Sequence, residues 1–189
     1  MVNSLKNRLN KLYSSVVSNA TYYFSKTLKI FKPRGDFKIH QIDHCLYQGN
    51  IIKDQDEMDI LKRRGIKHVV SIMEPWEWKY INGDFTLDED FTHHFFSVPD
   101  CCSLDIEYIE SALELVEFIK DKYPDDKIYI NCFYGRGRSA VLLYAYLMKT
   151  YKLTAREVEI ILDMKINNIF LNYKQRKSIS QYENKLYAA

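Results

Sequence analysis

The stretch Lys127-Ile128-Tyr129-Ile130-Asn131-Cys132-Phe133-Tyr134-Gly135-Arg136-Gly137-Arg138-Ser139-Ala140 decides the fold. Lys127 to Asn131 is an apolar, β-favouring run that predicts a buried strand. Ser139 to Tyr151 predicts an apolar helix. Between the two, the five residues Phe133 to Gly137 separate Cys132 from Arg138. A loop of this length can wrap its backbone N–H groups around one tetrahedral anion, and the helix N-terminus adds positive potential there. Gly135 and Gly137 permit backbone conformations that side chains forbid. The planar fork of Arg138 can hold two oxygens of such an anion at once, which a Lys cannot. The same field favours a thiolate at Cys132, the form that attacks phosphorus in line, and Ser139 can donate a hydrogen bond to its sulfur.

Outward from this stretch, strand-like and helical segments alternate, which predicts an α/β domain. Phe37 to Tyr47 reads as one or two short strands ending near Gly49. Asp54 to Arg64 reads as a helix closed by Gly65. Lys67 to Met73 is a buried strand, residues 74–92 read as polar and irregular around Trp76 and Trp78, and His93 to Val98 is a further strand. Asp105 suits the N-cap of a long helix through Lys122. Thr154 and Glu157 form a capping box, and a last helix begins near Tyr173. His93 and His94 are assigned to packing or surface roles. Trp76 and Trp78 suit either a substrate groove or the core.

The chain has 189 residues and a net charge of +2. That balance hides an asymmetry. Residues 1–34 hold seven basic residues and no acidic one, leaving 20 basic against all 25 acidic residues beyond, a balance of −5. The main part therefore carries no dispersed basic surface of the kind that tracks nucleic acid, and a nucleic-acid partner is not expected. Apolar residues at spacings of three and four from Leu5 to Phe31 suit a basic amphipathic helix, too interrupted to span a bilayer. Two readings stand for it: contact with a membrane or targeting to an organelle, and packing on the main domain. The division is thus a basic extension over residues 1–35 and a catalytic-type domain over 36–189. Cys45, Cys101, Cys102 and Cys132 match neither a zinc site nor a disulfide framework. No secretory signal is visible, so reduced thiols in an intracellular, cytoplasmic setting are expected, with membrane association or organelle targeting through the N-terminal segment.

Hydrolysis of a phosphate ester also needs an acid for the leaving oxygen. Asp100 follows a strand and Pro99 and precedes a loop, 32 positions before Cys132. Asp105 is its rival, and the N-cap role suits that residue better. Cys45 reads as a buried small hydrophobe. Cys101 and Cys102 adjoin Asp100, and a protective disulfide from one of them to an oxidised Cys132 is a minor reading.

Cys132 to Arg138 followed by Ser139 resembles the Cys-x5-Arg-Ser/Thr signature of the protein tyrosine phosphatase superfamily. Over about residues 37–187 the order is similar to a small dual-specificity phosphatase. Leu46-Tyr47-Gln48-Gly49, Val69-Val70-Ser71-Ile72, the Asp100 loop and Ala145-Tyr146-Leu147-Met148 fall where that family places them. The resemblance implies a central mixed, mostly parallel sheet flanked by helices. It also implies a phosphocysteine intermediate, neither metal nor cofactor, and Asp100 as general acid on a mobile loop. Catalysis falls to Cys132, Arg138, Asp100 and Ser139, and substrate binding to Phe133, Tyr134, Gly135, Arg136 and Gly137. No tyrosine-recognition loop is found, which implies a shallow pocket and phosphorylated Tyr, Ser or Thr in proteins as substrates.

Two positions depart from the family pattern. Asn131 stands where the family has His before the nucleophile, and Phe133-Tyr134 is bulkier than usual. Asn131 keeps open a weakly active or inactive phosphate-binding relative. Arg136 resembles the extra cation of members that act on lipid or inositol phosphates, such as the mitochondrial phosphatidylglycerophosphate phosphatase. Glu74-Pro75-Trp76-Glu77 is loosely similar to an acidic-aromatic motif of that subgroup. A phosphatase acting on lipid or inositol phosphates at a membrane is the alternative reading. Gln175 resembles a polar residue near the active site of some relatives.

Overall fold

In the computed structural model, residues 36–166 and 169–188 are described. The expected N-terminal amphipathic helix lies outside them.

Five strands form one sheet: β1 (Ile39–Gln41), β2 (Leu46–Gly49), β3 (Ile66–Ile72), β4 (Thr92–Phe96) and β5 (Lys127–Asn131), in the order β1-β2-β5-β3-β4. Only β1 runs antiparallel to its neighbour, so the sheet is mixed and mostly parallel, as expected. β5 lies at its centre, paired to β2 and β3. Alternation along β5 splits the core in two. Ile128 and Ile130 face one layer, and Tyr129 faces the other.

The first layer holds α3 (Ile106–Lys122), α4 (Arg138–Tyr151), α5 (Ala155–Lys165) and α6 (Tyr173–Tyr187). The second holds α1 (Gln55–Arg63) and Trp78 of α2 (Pro75–Asn82). Every residue of α4 from Arg138 to Met148 is buried, which makes it the central helix. Capping explains where several helices begin. Asp54 accepts from Glu57 N at 3.0 Å, Asp105 from Tyr108 N at 3.0 Å, and Thr154 pairs reciprocally with Glu157. Gly65 closes α1 with φ of +75°.

Residues 74–92, read as irregular, contain α2. Pro75 starts it at the position where a missing N–H costs nothing, and Glu77 Oε2 accepts from Glu74 N at 2.8 Å. Trp78 belongs to the core, 7% exposed, with its indole N–H donated to Phe85 O at 3.2 Å.

Candidate active site

Strand β5 ends at Asn131 and helix α4 begins at Arg138, so residues 132–137 form the loop at the carboxyl edge of the sheet. Cys132 is 3% exposed at its base. Ser139 Oγ donates to Cys132 Sγ at 3.2 Å, and Gln48 Nε2 donates to Ser139 Oγ at 3.0 Å. Gln48 also donates to Gly135 O at 2.6 Å, so one buried side chain from β2 fixes both the loop and the serine rotamer. Gly135 has φ of +67°, and a Cβ there would meet the Gly49 carbonyl at 2.6 Å. The loop can approach β2 this closely only with glycine.

Arg138 is almost wholly buried, and its donors can be assigned one by one. Nη1 donates to Glu77 Oε2 at 2.5 Å and to Val98 O at 2.8 Å, while Nη2 donates to Glu77 Oε1 at 2.8 Å. A guanidinium has five N–H donors, and these bonds use three. The remaining edge is Nε, which has no protein partner, and the second Nη2 hydrogen. That edge matches two oxygens of a tetrahedral anion. Burial opposes the charge, but the hydrogen bonds and carboxylate of Glu77 outweigh it and hold Arg138 ionised.

Asp100 Oδ1 stands 3.4 Å from Arg138 Nη2, with its side chain 48% exposed. Its loop turns through Cys101, which takes the left-handed φ of 58° and whose carbonyl accepts from Asn172 Nδ2 at 3.1 Å. Asp105 caps α3 instead, so the two candidate acids occupy different settings. Asp100, Cys101, Cys132, Arg138, Tyr134, Arg136, Gly137, Phe170, Asn172 and Gln175 line one cleft of about 290 Å³. Of the five loop residues expected to bind substrate, Tyr134, Arg136 and Gly137 line it. Phe133 and Gly135 are buried and do not, and the Phe133 ring packs edge-on against Tyr134 at 4.8 Å. Burial and the nearby Asp100 charge push the Cys101 thiol up. Burial and Asp43 push Cys45 up to about 11, which suits an inert core cysteine.

Asn131 is fully buried and takes part in a polar chain across three strands. Ser71 Oγ donates to Asn131 Oδ1 at 2.7 Å, and His93 Nε2 lies 2.8 Å from Ser71 Oγ. Because Ser71 has one proton and gives it to Asn131, His93 must be the donor in this arrangement. Burial, aided by the charge of His94, lowers the pKa of His93 to about 4. It is therefore neutral at ordinary pH, with its proton on Nε2.

Sequence reading did not single out Glu77 as the partner of Arg138, nor Gln48, Ser71, Asn172 and Phe170 as parts of the site. His93, for which a packing or surface role is expected, instead joins the polar chain to Asn131. Gln48 and Ser71 lay within stretches quoted for the family resemblance, and the alternation along β2 and β3 would have aimed their side chains at the site had the register with β5 been known.

The family model for the dual specificity phosphatase catalytic domain matches residues 46–185. Dual specificity protein phosphatase 1 of Arabidopsis thaliana is 23% identical over 145 residues, 75% of this chain and 68% of that protein. Dual specificity protein phosphatase PHS1 of the same plant is 35% identical over 98 residues, 51% of this chain but 10% of that protein. Solved structures share the fold. PTPMT1 superposes with a TM-score of 0.67 at 16% identity, covering 80% of this chain and 97% of that one. PTPMT1 in complex with PI(5)P gives 0.69 at 17%, covering 79% and 97%. The human tyrosine phosphatase-like serine/threonine/tyrosine-interacting protein gives 0.68 at 22%, covering 80% and 98%. With the family model spanning most of the chain, and the Cys132–Arg138 loop folded at the sheet edge as that family has it, the chain belongs to the dual specificity phosphatase family of the protein tyrosine phosphatase superfamily.

Proposed function

We propose that this chain hydrolyses phosphomonoesters through a phosphocysteine at Cys132. The observation that carries the reading is the single cleft that joins Cys132 to Arg138 and Asp100, with Ser139 Oγ on the sulfur at 3.2 Å. The free edge of Arg138 and the loop N–H groups hold the phosphoryl oxygens. The Cys132 thiolate attacks phosphorus in line, the P–O bond to the leaving group breaks, and Asp100 gives that oxygen its proton. Water, deprotonated by the same carboxylate, then displaces the sulfur as phosphate forms. The Ser139 hydrogen bond stabilises the departing thiolate.

Phosphorylated Tyr, Ser and Thr side chains in proteins are the first substrate class, in line with the names of the curated relatives. A lipid or inositol phosphate is the second reading, favoured by exposed Arg136 at the cleft and by the PI(5)P complex of PTPMT1. Thiolate chemistry needs a reducing compartment, so a cytoplasmic location is part of the proposal.

Release of phosphate from aryl phosphates, measured in a chelator, tests the mechanism. Cys132→Ser should abolish turnover while phosphate or vanadate still binds. Asp100→Asn should slow poor leaving groups more than activated ones, and an equal loss across the series would remove Asp100 from the acid role. A wild type that binds vanadate without turnover would make this a phosphate-binding module, with Asn131→His the variant expected to restore activity.

A further inference from the structure

Among the described residues, the three most exposed large hydrophobic side chains are Tyr173, Met164 and Phe170, at 80%, 76% and 74% exposure. They fall within ten positions of one another in the sequence, and Phe170 and Asn172 of that stretch border the cleft. Phe170 lines the cleft itself, and its backbone N–H donates to Arg136 O at 3.1 Å, which fastens it to the phosphate-binding loop. Asn172, beside Tyr173, is fastened to the other wall through Cys101 O. Phe170 therefore stands at the mouth, and exposed Tyr173 follows directly after Asn172 as the first residue of α6. Met164 projects from the last turn of α5, at the entry to the same connection.

Charge follows the same segment. Residues 164–177 hold Lys165, Lys174, Arg176 and Lys177 with no Asp or Glu, while the rest of the chain from residue 35 onward holds 16 basic and 25 acidic residues. Arg176 pairs with Glu159 at 3.2 Å, and Asp163 borders the segment. Lys165, Lys174 and Lys177 are exposed, and Arg136 stands exposed at the cleft. Exposed cations and apolar tips thus run from Arg136 and Phe170 at the cleft along this segment, a basic rim on an otherwise acidic domain.

We propose that this rim seats the cleft on an anionic lipid surface, with Phe170, Tyr173 and Met164 entering the interface and the lysines meeting the headgroups. The proposal rests on the lipid-phosphate reading of the site above, and it names how that substrate is presented. Charge opposes the nearest alternatives. Residues 1–34 carry seven basic residues and no acid, so they repel this rim and add to the same attraction toward anionic lipid. A second copy docked face to face would oppose like charges. The apolar side chains are solvated tips separated by cations, the pattern of an interfacial anchor rather than of a groove that encloses a peptide.

The test uses full-length Cys132→Ser, whose vesicle binding does not depend on turnover, so failure of the mechanism and failure of the docking face read separately. Sedimentation with phosphatidylcholine vesicles, with and without phosphatidylserine, should show binding only when the anionic lipid is present. Tyr173→Ser combined with Lys174→Gln and Lys177→Gln changes no cleft-lining residue. Each basic residue near the surface contributes about fivefold to partitioning, so the triple variant should bind roughly 30-fold more weakly or worse. With Cys132 restored, it should hydrolyse a soluble aryl phosphate at the wild-type rate and a phosphoinositide in vesicles more slowly than the wild type. Parental vesicle binding by the triple variant, or no binding by the parent, overturns the proposal. Loss of phosphopeptide hydrolysis with vesicle binding intact would overturn it in favour of an acidic protein partner.

Discussion

Arg138 shows how one residue holds a charge in the core for use at the surface. Its guanidinium is 1% exposed, and Glu77 alone among the groups bonded to it supplies a formal charge with two hydrogen bonds. Removing one partner of a buried pair leaves the other uncompensated, at a cost of about 3–5 kcal/mol. Glu77→Ala should therefore lower stability in urea by about that amount and lower kcat/KM through a misplaced guanidinium. Glu77→Gln, which keeps an acceptor, should lose less of both. If Glu77→Ala melted and turned over like the wild type, the carboxylate would not be what positions Arg138. Cys132, Arg138 and Ser139 were legible in the sequence because their geometry is local, one loop long. Glu77 was not, because its partner lies 61 positions away and no periodicity announces a pairing across the core.

At the scale of elements, the strand–loop–helix unit was legible for the same reason that it works: each part has its own local signature. The caps of α3 and α5 are legible in Asp105 and Thr154, and the end of α1 in Gly65. Helix α2 was missed because it spans only eight residues, mixes Trp with Glu and Lys, and starts from a Glu rather than one of the favoured capping residues. The loop from Cys132 to Arg138 itself separates its two glycines. At Gly135 a side chain meets both a left-handed φ of +67° and the rigid backbone of Gly49. At Gly137, with φ of −117°, an added Cβ meets Gln175 Nε2 at 2.8 Å, the far end of a side chain that can turn. Gly135→Ala should cost about 1–2 kcal/mol from the backbone conformation alone, more from the collision, and remove turnover. Gly137→Ala should stay folded, with KM raised by the displaced Gln175. Equal losses in thermal melts of the two variants would refute the distinction.

For the molecule as a whole, acid stability depends on how the sheet stores histidines. His68 and His94 stack with ring centroids 5.8 Å apart, and His93 joins Ser71 and Asn131. Burial lowers the pKa of His93 from 6.5 to about 4, and it also lowers His94, with a smaller contribution from the charge of His68. The unfolded chain takes up these protons near pH 6.5, whereas the native state holds His93 neutral down to about pH 4. Between those values the unfolded state binds more protons, so stability falls as the pH falls. Asp43, whose hydrogen bonds from Tyr146, Cys45, Leu46 and Tyr151 outweigh its burial, loses its contribution in the window below, as the pH drops past its ordinary 3.8. Glu57, raised by burial, runs in the opposite direction, so the histidine share must be read as a difference between variants. Urea midpoints should decline from pH 6.5 to pH 4 in the wild type and decline less steeply in His93→Gln, whose amide can still donate to Ser71 but takes up no proton. A parallel decline in the two proteins would mean that His93 is not held neutral by the fold. The Ser71–Asn131 link would then lack the fixed donor that the structure gives it.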